Sequence, residues 1–128
     1  GSGMSACLMA GAVALALGPG NSFSLAWSHS VEKTEWREDW RVTQAGLVPT
    51  RAAIRGYGAG MEPGPDAKLV NGWLVWHPKA PPVRELALAA SGATGGGWRL
   101  CGAECVTLGA EAGAPVVLKP CKAYTKQQ

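Results

Sequence analysis

The sequence predicts an all-β fold, either an antiparallel β-sandwich or a flattened barrel, of about nine to eleven short strands. Short segments with a residue period of two recur along the 128 residues, and no segment with the helical period extends beyond a few turns. The 18 glycines and 9 prolines of the chain are concentrated between those segments. Asn71-Gly72 stands between two such segments and has the composition of a two-residue type I′ hairpin turn.

The predicted strands follow from that alternation and from the turn residues that separate them. Pro49 indicates that its strand begins at a sheet edge or at a bulge, because proline donates no hydrogen bond to a neighbouring strand. The strands are predicted at residues 7–9, 13–17, 23–31, 36–42, 47–57, 68–70, 73–76, 83–89, 98–101, 105–108 and 116–118.

The chain is predicted to form a single domain. Residues 1–3, Gly-Ser-Gly before Met4, are typical of a cloning remnant, residues 4–121 form the β domain, and residues 122–128 form a polar tail. The apolar run 6–17 is too short for a membrane span and follows no Lys or Arg, so we interpret it as two strands. We therefore expect neither a membrane span nor a cleaved leader, which favours the cytoplasm, with the periplasm as the alternative.

The four cysteines leave their chemical state open. Cys101 and Cys105 are separated by three residues, a spacing at which a disulfide is geometrically demanding, and Cys7 and Cys121 stand alone. A structural zinc site would require two close pairs. Buried thiols in a reducing compartment are the expectation, with disulfides as the second possibility and a metal as the third.

The composition argues against two classes of function. The net charge is only +3, the basic residues are scattered along the chain, and two Tyr and one Phe provide no stacking platform, so we expect no nucleic-acid partner. A metal bound by His29, His77, Glu38 or Glu62 is not required by their spacing. No metal and no cofactor are predicted.

The most informative stretch is 23–42, which predicts a hairpin with one apolar and one charged face. If the chain reverses at residues 33–34, the directly opposed pairs are Val31 with Trp36, His29 with Glu38, and Trp27 with Trp40. Three interpretations remain open: a structural His29–Glu38 pair that fixes the register, a polar group at the mouth of a ligand pocket, or a different register.

A glycine-rich loop follows the fifth predicted strand. Its residues are Gly58, Ala59, Gly60, Met61 and Glu62. Backbone amides in such a loop can form an anion-binding nest, and the loop can equally be a plain connection.

Several of these segments resemble the bacterial domain of unknown function 1850. The resemblance extends from about residue 6 to residue 121 and is most specific in the His-Ser element followed by Glu38 and in the Gly-Ala-Gly loop. It is carried by residues 25–33, 36, 38–40, 58–63, 71–73 and 98–101. Members of that family tend to be encoded beside, or linked to, TRAP transporters of the TAXI type, which import carboxylates and related solutes. The resemblance implies an accessory or ligand-sensing role near solute uptake, and an extracytoplasmic location where members carry a leader.

The leading hypothesis is a binding module for a small anionic solute or for a TRAP transporter component. In this hypothesis His29 contacts the ligand, Glu38 orients His29, the loop 58–62 provides backbone donors, and three tryptophans form the walls, namely Trp27, Trp36 and Trp40. One alternative is a hydrolase-like or metal-dependent enzyme that uses His29 as general base and Glu38 as its orienting group. Another is a structural or assembly protein.

Overall fold

A computed structural model describes residues 7–29, 34–56, 66–90, 97–109 and 113–121. These ranges contain eleven strands and no helix, which confirms the all-β prediction. The strands are β1 (Cys7–Ala10), β2 (Val13–Ala16), β3 (Ser22–His29), β4 (Thr34–Thr43), β5 (Gly46–Arg55), β6 (Lys68–Val70), β7 (Trp73–Trp76), β8 (Leu86–Ala90), β9 (Trp98–Cys101), β10 (Cys105–Leu108) and β11 (Gly113–Pro120). In the described ranges, accordingly, there is no helix long and apolar enough to cross a bilayer.

The strands form two open antiparallel sheets that pack as a sandwich. The larger sheet has seven strands in the order β10-β9-β3-β4-β5-β7-β6, and the smaller sheet has four in the order β2-β1-β11-β8. The apolar run near the start of the chain is the hairpin β1–β2, as predicted. A bulge lies in β5 where Pro49 pairs with Trp40, also as predicted.

The main core lies between the two sheets. Its largest fully buried side chains are Leu8 and Leu118 from the smaller sheet and Leu25, Leu47 and Leu100 from the larger one. Each such leucine contributes about 1.5–3 kcal/mol relative to an exposed one. A second apolar cluster of Ala52, Ile54 and Trp76 extends the same face of the larger sheet toward β7.

Two turns explain how the sequence ends its strands. Asn71 and Gly72 both adopt positive φ, at 50° and 86°, which confirms the predicted type I′ turn between β6 and β7. Gly46 has a φ of 132°, and a side chain there would collide with the carbonyl oxygen of Val83. That close approach allows Leu47 and Val83 to exchange backbone hydrogen bonds of 2.7 and 3.0 Å ahead of β8.

The expectation of free thiols is wrong, because all four cysteines form disulfides. Cys101 and Cys105 are direct partners in the β9–β10 pairing, with Cα atoms 4.0 Å apart. Cys7 and Cys121 are 114 residues apart in sequence, but the β1–β11 pairing brings their Cα atoms to 5.3 Å. Both pairings depend on strand register, which the cysteine spacing alone does not give.

Candidate functional site

β4 is the centre of the predicted site, and its register with β3 differs from the prediction. Glu38 lies opposite Leu25, and His29 lies opposite Thr34. The predicted His29–Glu38 and Trp27–Trp40 pairs are therefore wrong, and Trp27 lies opposite Trp36 instead. Residues 30–33, which include Val31 of the third predicted pair, lie outside the described residues.

The error has a simple physical cause. His29 and Thr34 are direct partners, so the chain reverses two residues earlier than the predicted reversal at 33–34. The partner of each β4 residue therefore moves by four residues along β3, and an even shift leaves every side chain on its predicted face. Along β3, His29 is four residues from the position opposite Glu38, which corresponds to about 13 Å at about 3.3 Å per residue.

Glu38 is a carboxylate within an apolar row of the larger sheet. Its cross-strand neighbours are Leu25 on one side and Ala52 on the other, both of which are buried. Trp36 Nε1 donates a hydrogen bond of 2.9 Å to Glu38 Oε2, and Trp40 Nε1 donates one of 2.9 Å to Oε1. Residues two apart on a strand share a face, so β4 itself provides both donors.

Tryptophan rings surround this carboxylate on the same face. Trp36 contacts Trp76 edge to face at 5.7 Å between ring centroids, and Trp27 stacks on Trp98 at 6.1 Å. The structure therefore places Trp27, Trp36, Trp40 and Glu38 on one face of the larger sheet, as the period-two alternation predicted. Each oxygen of Glu38 already accepts an indole hydrogen bond, so the carboxylate has a fixed orientation in this aromatic surface.

The opposite face of the seven-stranded sheet is strongly basic, which the sequence analysis did not predict. Register places six cationic side chains but only two acidic ones, Glu35 and Asp39, on this face among the described residues. The cationic residues are Arg37, Arg41, Arg51, Arg55, Lys68 and Arg99. They come from β4, β5, β6 and β9, so their proximity appears only once the strands are paired.

A groove of about 290 Å³ lies on this basic face. Its lining residues are Arg37, Arg51, Ala53, Val70, Asn71 and Trp73. Ala53 lies directly between Arg37 on β4 and Val75 on β7, so a small side chain occupies the floor where a large one would fill the space. We name this feature the arginine groove.

The two arginines of the groove share one acidic neighbour. Arg37 Nε lies 3.6 Å from Asp39 Oδ1, and Arg51 Nη1 lies 3.6 Å from Asp39 Oδ2. These are ion pairs longer than a hydrogen bond, whose donor–acceptor distance is about 2.7–3.2 Å. Asp39 thus offsets one of the two positive charges without forming a tight pair with either arginine.

Trp73 forms the aromatic wall of the groove and is held from outside it. The guanidinium carbon of Arg55 lies 5.9 Å from the centroid of the Trp73 ring, and Arg55 does not line the groove. Arg55 Nη1 also lies 3.5 Å from Glu35 Oε1. The resulting series Glu35–Arg55–Trp73 runs across β4, β5 and β7.

The remaining predicted site residues have no described contacts. The loop Gly58, Ala59, Gly60, Met61 and Glu62 lies outside the described residues, and His29 is described only as a strand position. The arginine groove was missed because its residues come from four strands, β4, β5, β6 and β7, and from one turn. The available signal was the match of Arg51 and Arg55 to Asp39 and Glu35, which becomes visible once β4 and β5 are aligned.

These features define an open antiparallel β-sandwich with an aromatic inner face and a cationic groove on the outer face of its larger sheet. A family model, that of the domain of unknown function DUF1850, matches residues 23–108, so the chain belongs to this family. The match begins in β3 and ends with β10, and it therefore includes every strand of the seven-stranded sheet, the arginine groove and Glu38. No curated protein and no solved structure matches the chain.

Proposed function

We propose that this chain is an accessory binding module that holds a small carboxylate anion in the arginine groove and serves a TRAP-type importer of the TAXI class. The observation that carries the proposal is the convergence of Arg37 and Arg51 on a 290 Å³ groove next to a tryptophan. Guanidinium groups bind carboxylates through paired N–H donors, which gives these contacts both charge and geometry.

The charge balance of the groove favours an anion. Two guanidinium groups and one carboxylate, that of Asp39, leave one net positive charge there. Arg37 approaches Asp39 through Nε and Arg51 through one terminal nitrogen. The other N–H donors of each guanidinium remain to bind a carboxylate.

The apolar face offers a less suitable place for the same ligand. An anion close to Glu38 would be repelled by its negative charge, and the indole donors of Trp36 and Trp40 already serve Glu38. The enzyme alternative loses its central contact, because Leu25 rather than His29 lies opposite Glu38. For these reasons we assign the ligand to the arginine groove.

One observation and the family resemblance support the proposed setting. Disulfides persist in oxidising compartments, and this chain has two of them, so we propose an extracytoplasmic location instead of the cytoplasm. Family members tend to be encoded beside importers of carboxylates, which agrees with a carboxylate ligand. The transport role predicts that loss of the chain changes carboxylate uptake by the neighbouring importer, while uptake of an unrelated sugar is unchanged.

Binding is tested by NMR titration of the full chain with sodium acetate against sodium chloride at equal ionic strength. We expect saturable shifts of the arginine side-chain N–H signals of Arg37 and Arg51. Arg51→Gln should weaken acetate binding by about tenfold or more, because a hydrogen bond to a charged group is lost. Arg41→Gln removes the same charge from the same face outside the groove and should change affinity less than about twofold, as expected for screened surface charge.

The outcomes separate the groove from the site that the sequence predicted. Acetate binding that is lost in His29→Ala but retained in Arg51→Gln would overturn the assignment to the groove. Equal weakening in Arg51→Gln and Arg41→Gln would also overturn it, because the effect would then come from net charge alone. The absence of saturable binding in the unaltered chain would overturn the proposed function.

A further inference from the structure

We infer that the arginine groove selects a flat, aromatic monocarboxylate over an aliphatic one, an inference that rests on the proposed function. The groove has two different sides. Arg37, Arg51 and Asn71 provide charge and hydrogen-bond donors, whereas Trp73, Val70 and Ala53 provide apolar surface. A ligand that satisfies both sides carries one carboxylate and one apolar body.

The volume limits the size of that body. Small-molecule pockets commonly measure about 300–1,000 Å³, and the arginine groove, at about 290 Å³, lies just below that range. This favours a ligand with one small ring. The single net positive charge left by Asp39 favours one carboxylate over two.

Trp73 determines the shape of the body. Indole rings stack on flat rings, and such aromatic contacts add about 0.5–1.5 kcal/mol beyond the area that they bury. Arg55 contacts the Trp73 ring from outside the groove, and Glu35 pairs with Arg55 at 3.5 Å. We therefore assign Arg55 as a positioning residue that orients the indole and leaves another part of its surface facing the ligand.

The experiment compares sodium benzoate with sodium cyclohexanecarboxylate on the full chain by calorimetry or NMR titration. Both have one carboxylate and a six-membered ring, but only benzoate is flat. We expect the unaltered chain to bind benzoate about three- to tenfold more tightly, which corresponds to the stacking contribution. Trp73→Leu should abolish this preference, and Trp73→Phe, which retains a flat ring, should keep most of it.

Two further variants keep the test specific. Leu69→Ala changes an exposed apolar side chain next to Val70 on the same edge strand and should leave the preference unchanged. Ala53→Leu adds bulk to the groove floor and should weaken both ligands together while leaving every arginine in place. Arg55→Gln should lower the ratio of benzoate affinity to cyclohexanecarboxylate affinity. It should lower the affinity for acetate by a smaller factor.

The results distinguish a failure of the selectivity for a flat ring from a failure of carboxylate binding itself. If acetate, benzoate and cyclohexanecarboxylate all bind through Arg51 with equal affinity, the selectivity for a flat ring is overturned and carboxylate binding stands. If the benzoate preference survives in a folded Trp73→Leu variant, the role of Trp73 is overturned. If no carboxylate binds, both proposals are overturned.

Discussion

Glu38 and Asp39 are consecutive acidic residues in β4, and they lie on opposite faces of the seven-stranded sheet. Glu38 lies in an apolar row, and both of its oxygens accept indole hydrogen bonds of 2.9 Å. Asp39 lies among arginines, and its two ion pairs measure 3.6 Å. The comparison shows that the surrounding side chains determine whether a carboxylate is held in one orientation, as Glu38 is, or forms only long ion pairs, as Asp39 does.

The difference follows from solvation. Glu38 is partly buried among apolar side chains, where polar groups need close hydrogen bonds because an unsatisfied buried polar group costs several kcal/mol. The side chain of Asp39 is 29% exposed and those of Arg37 and Arg51 are 53% and 42% exposed, so water screens these pairs. Ion pairs of this kind contribute only about 0–1 kcal/mol. The inner face is therefore built for stability, while the outer face retains charged groups that can exchange an internal partner for a ligand.

The largest effect should come from the inner face at the residue opposite Glu38. Leu25 is fully buried, and Leu25→Ala should lower the free energy of unfolding by about 3–5 kcal/mol through lost burial and the cavity left behind. Ser24→Ala on the outer face is the matched control and should change it by less than about 0.5 kcal/mol. Urea denaturation measures both, and similar losses would contradict the division between the two faces.

The next largest effect should be the difference in free energy of unfolding between Glu38→Gln and Asp39→Asn. Glu38→Gln replaces one oxygen by an NH₂ group that cannot accept an indole hydrogen bond, so either Trp36 or Trp40 loses its partner. We expect a loss of about 1–3 kcal/mol in denaturation experiments. Asp39→Asn should cost no more than about 1 kcal/mol. Equal losses would mean that the indole hydrogen bonds contribute no more than a surface ion pair.

Asp39→Asn and Glu38→Gln should also differ in their effect on acetate affinity. Removing this carboxylate takes away the internal partner of Arg37 and Arg51 and raises the net charge of the groove. Acetate affinity should therefore increase by about two- to fivefold, in proportion to the small energy of exposed ion pairs. The same titration on Glu38→Gln provides the control and should show no increase. A decrease in Asp39→Asn would indicate that Asp39 positions the arginines instead of competing with the ligand.

The smallest effect is a pH dependence on an exposed hairpin. The backbone N–H of His77 donates a 3.1 Å hydrogen bond to Asp66 Oδ2, and this bond lowers the pKa of Asp66 below its ordinary value of 3.8. A carboxyl whose pKa is lowered by folding stabilises the fold above its ordinary pKa, and the contribution is lost as the pH falls through the lowered value. Asp66→Asn should remove this small acid-dependent component below about pH 4 and leave the rest of the profile unchanged. If the free energy of unfolding depends on pH below about pH 4 in the same way with and without Asp66→Asn, then the pKa of Asp66 is the same in the folded and the unfolded chain.

Much of the fold was predictable because strand alternation and turn chemistry are local. A period of two assigned Trp36, Glu38 and Trp40 to one face, and the structure confirms that assignment. Asn71-Gly72 predicted its hairpin because few residue pairs adopt two consecutive positive φ angles at low cost. These features depend on a few neighbouring residues and survive an error in register.

The sequence by itself thus determined the strands, their faces and the all-β class, whereas tertiary structure decided the pairings. The position of the reversal between β3 and β4 placed Leu25 rather than His29 opposite Glu38. The β1–β11 pairing joined Cys7 to Cys121 across 114 residues. Strand pairing likewise gathered arginines from different strands into one groove. Cross-strand contacts arise from non-local hydrogen bonding, and the spacing of residues along one strand carries no information about which residue of another strand will face it.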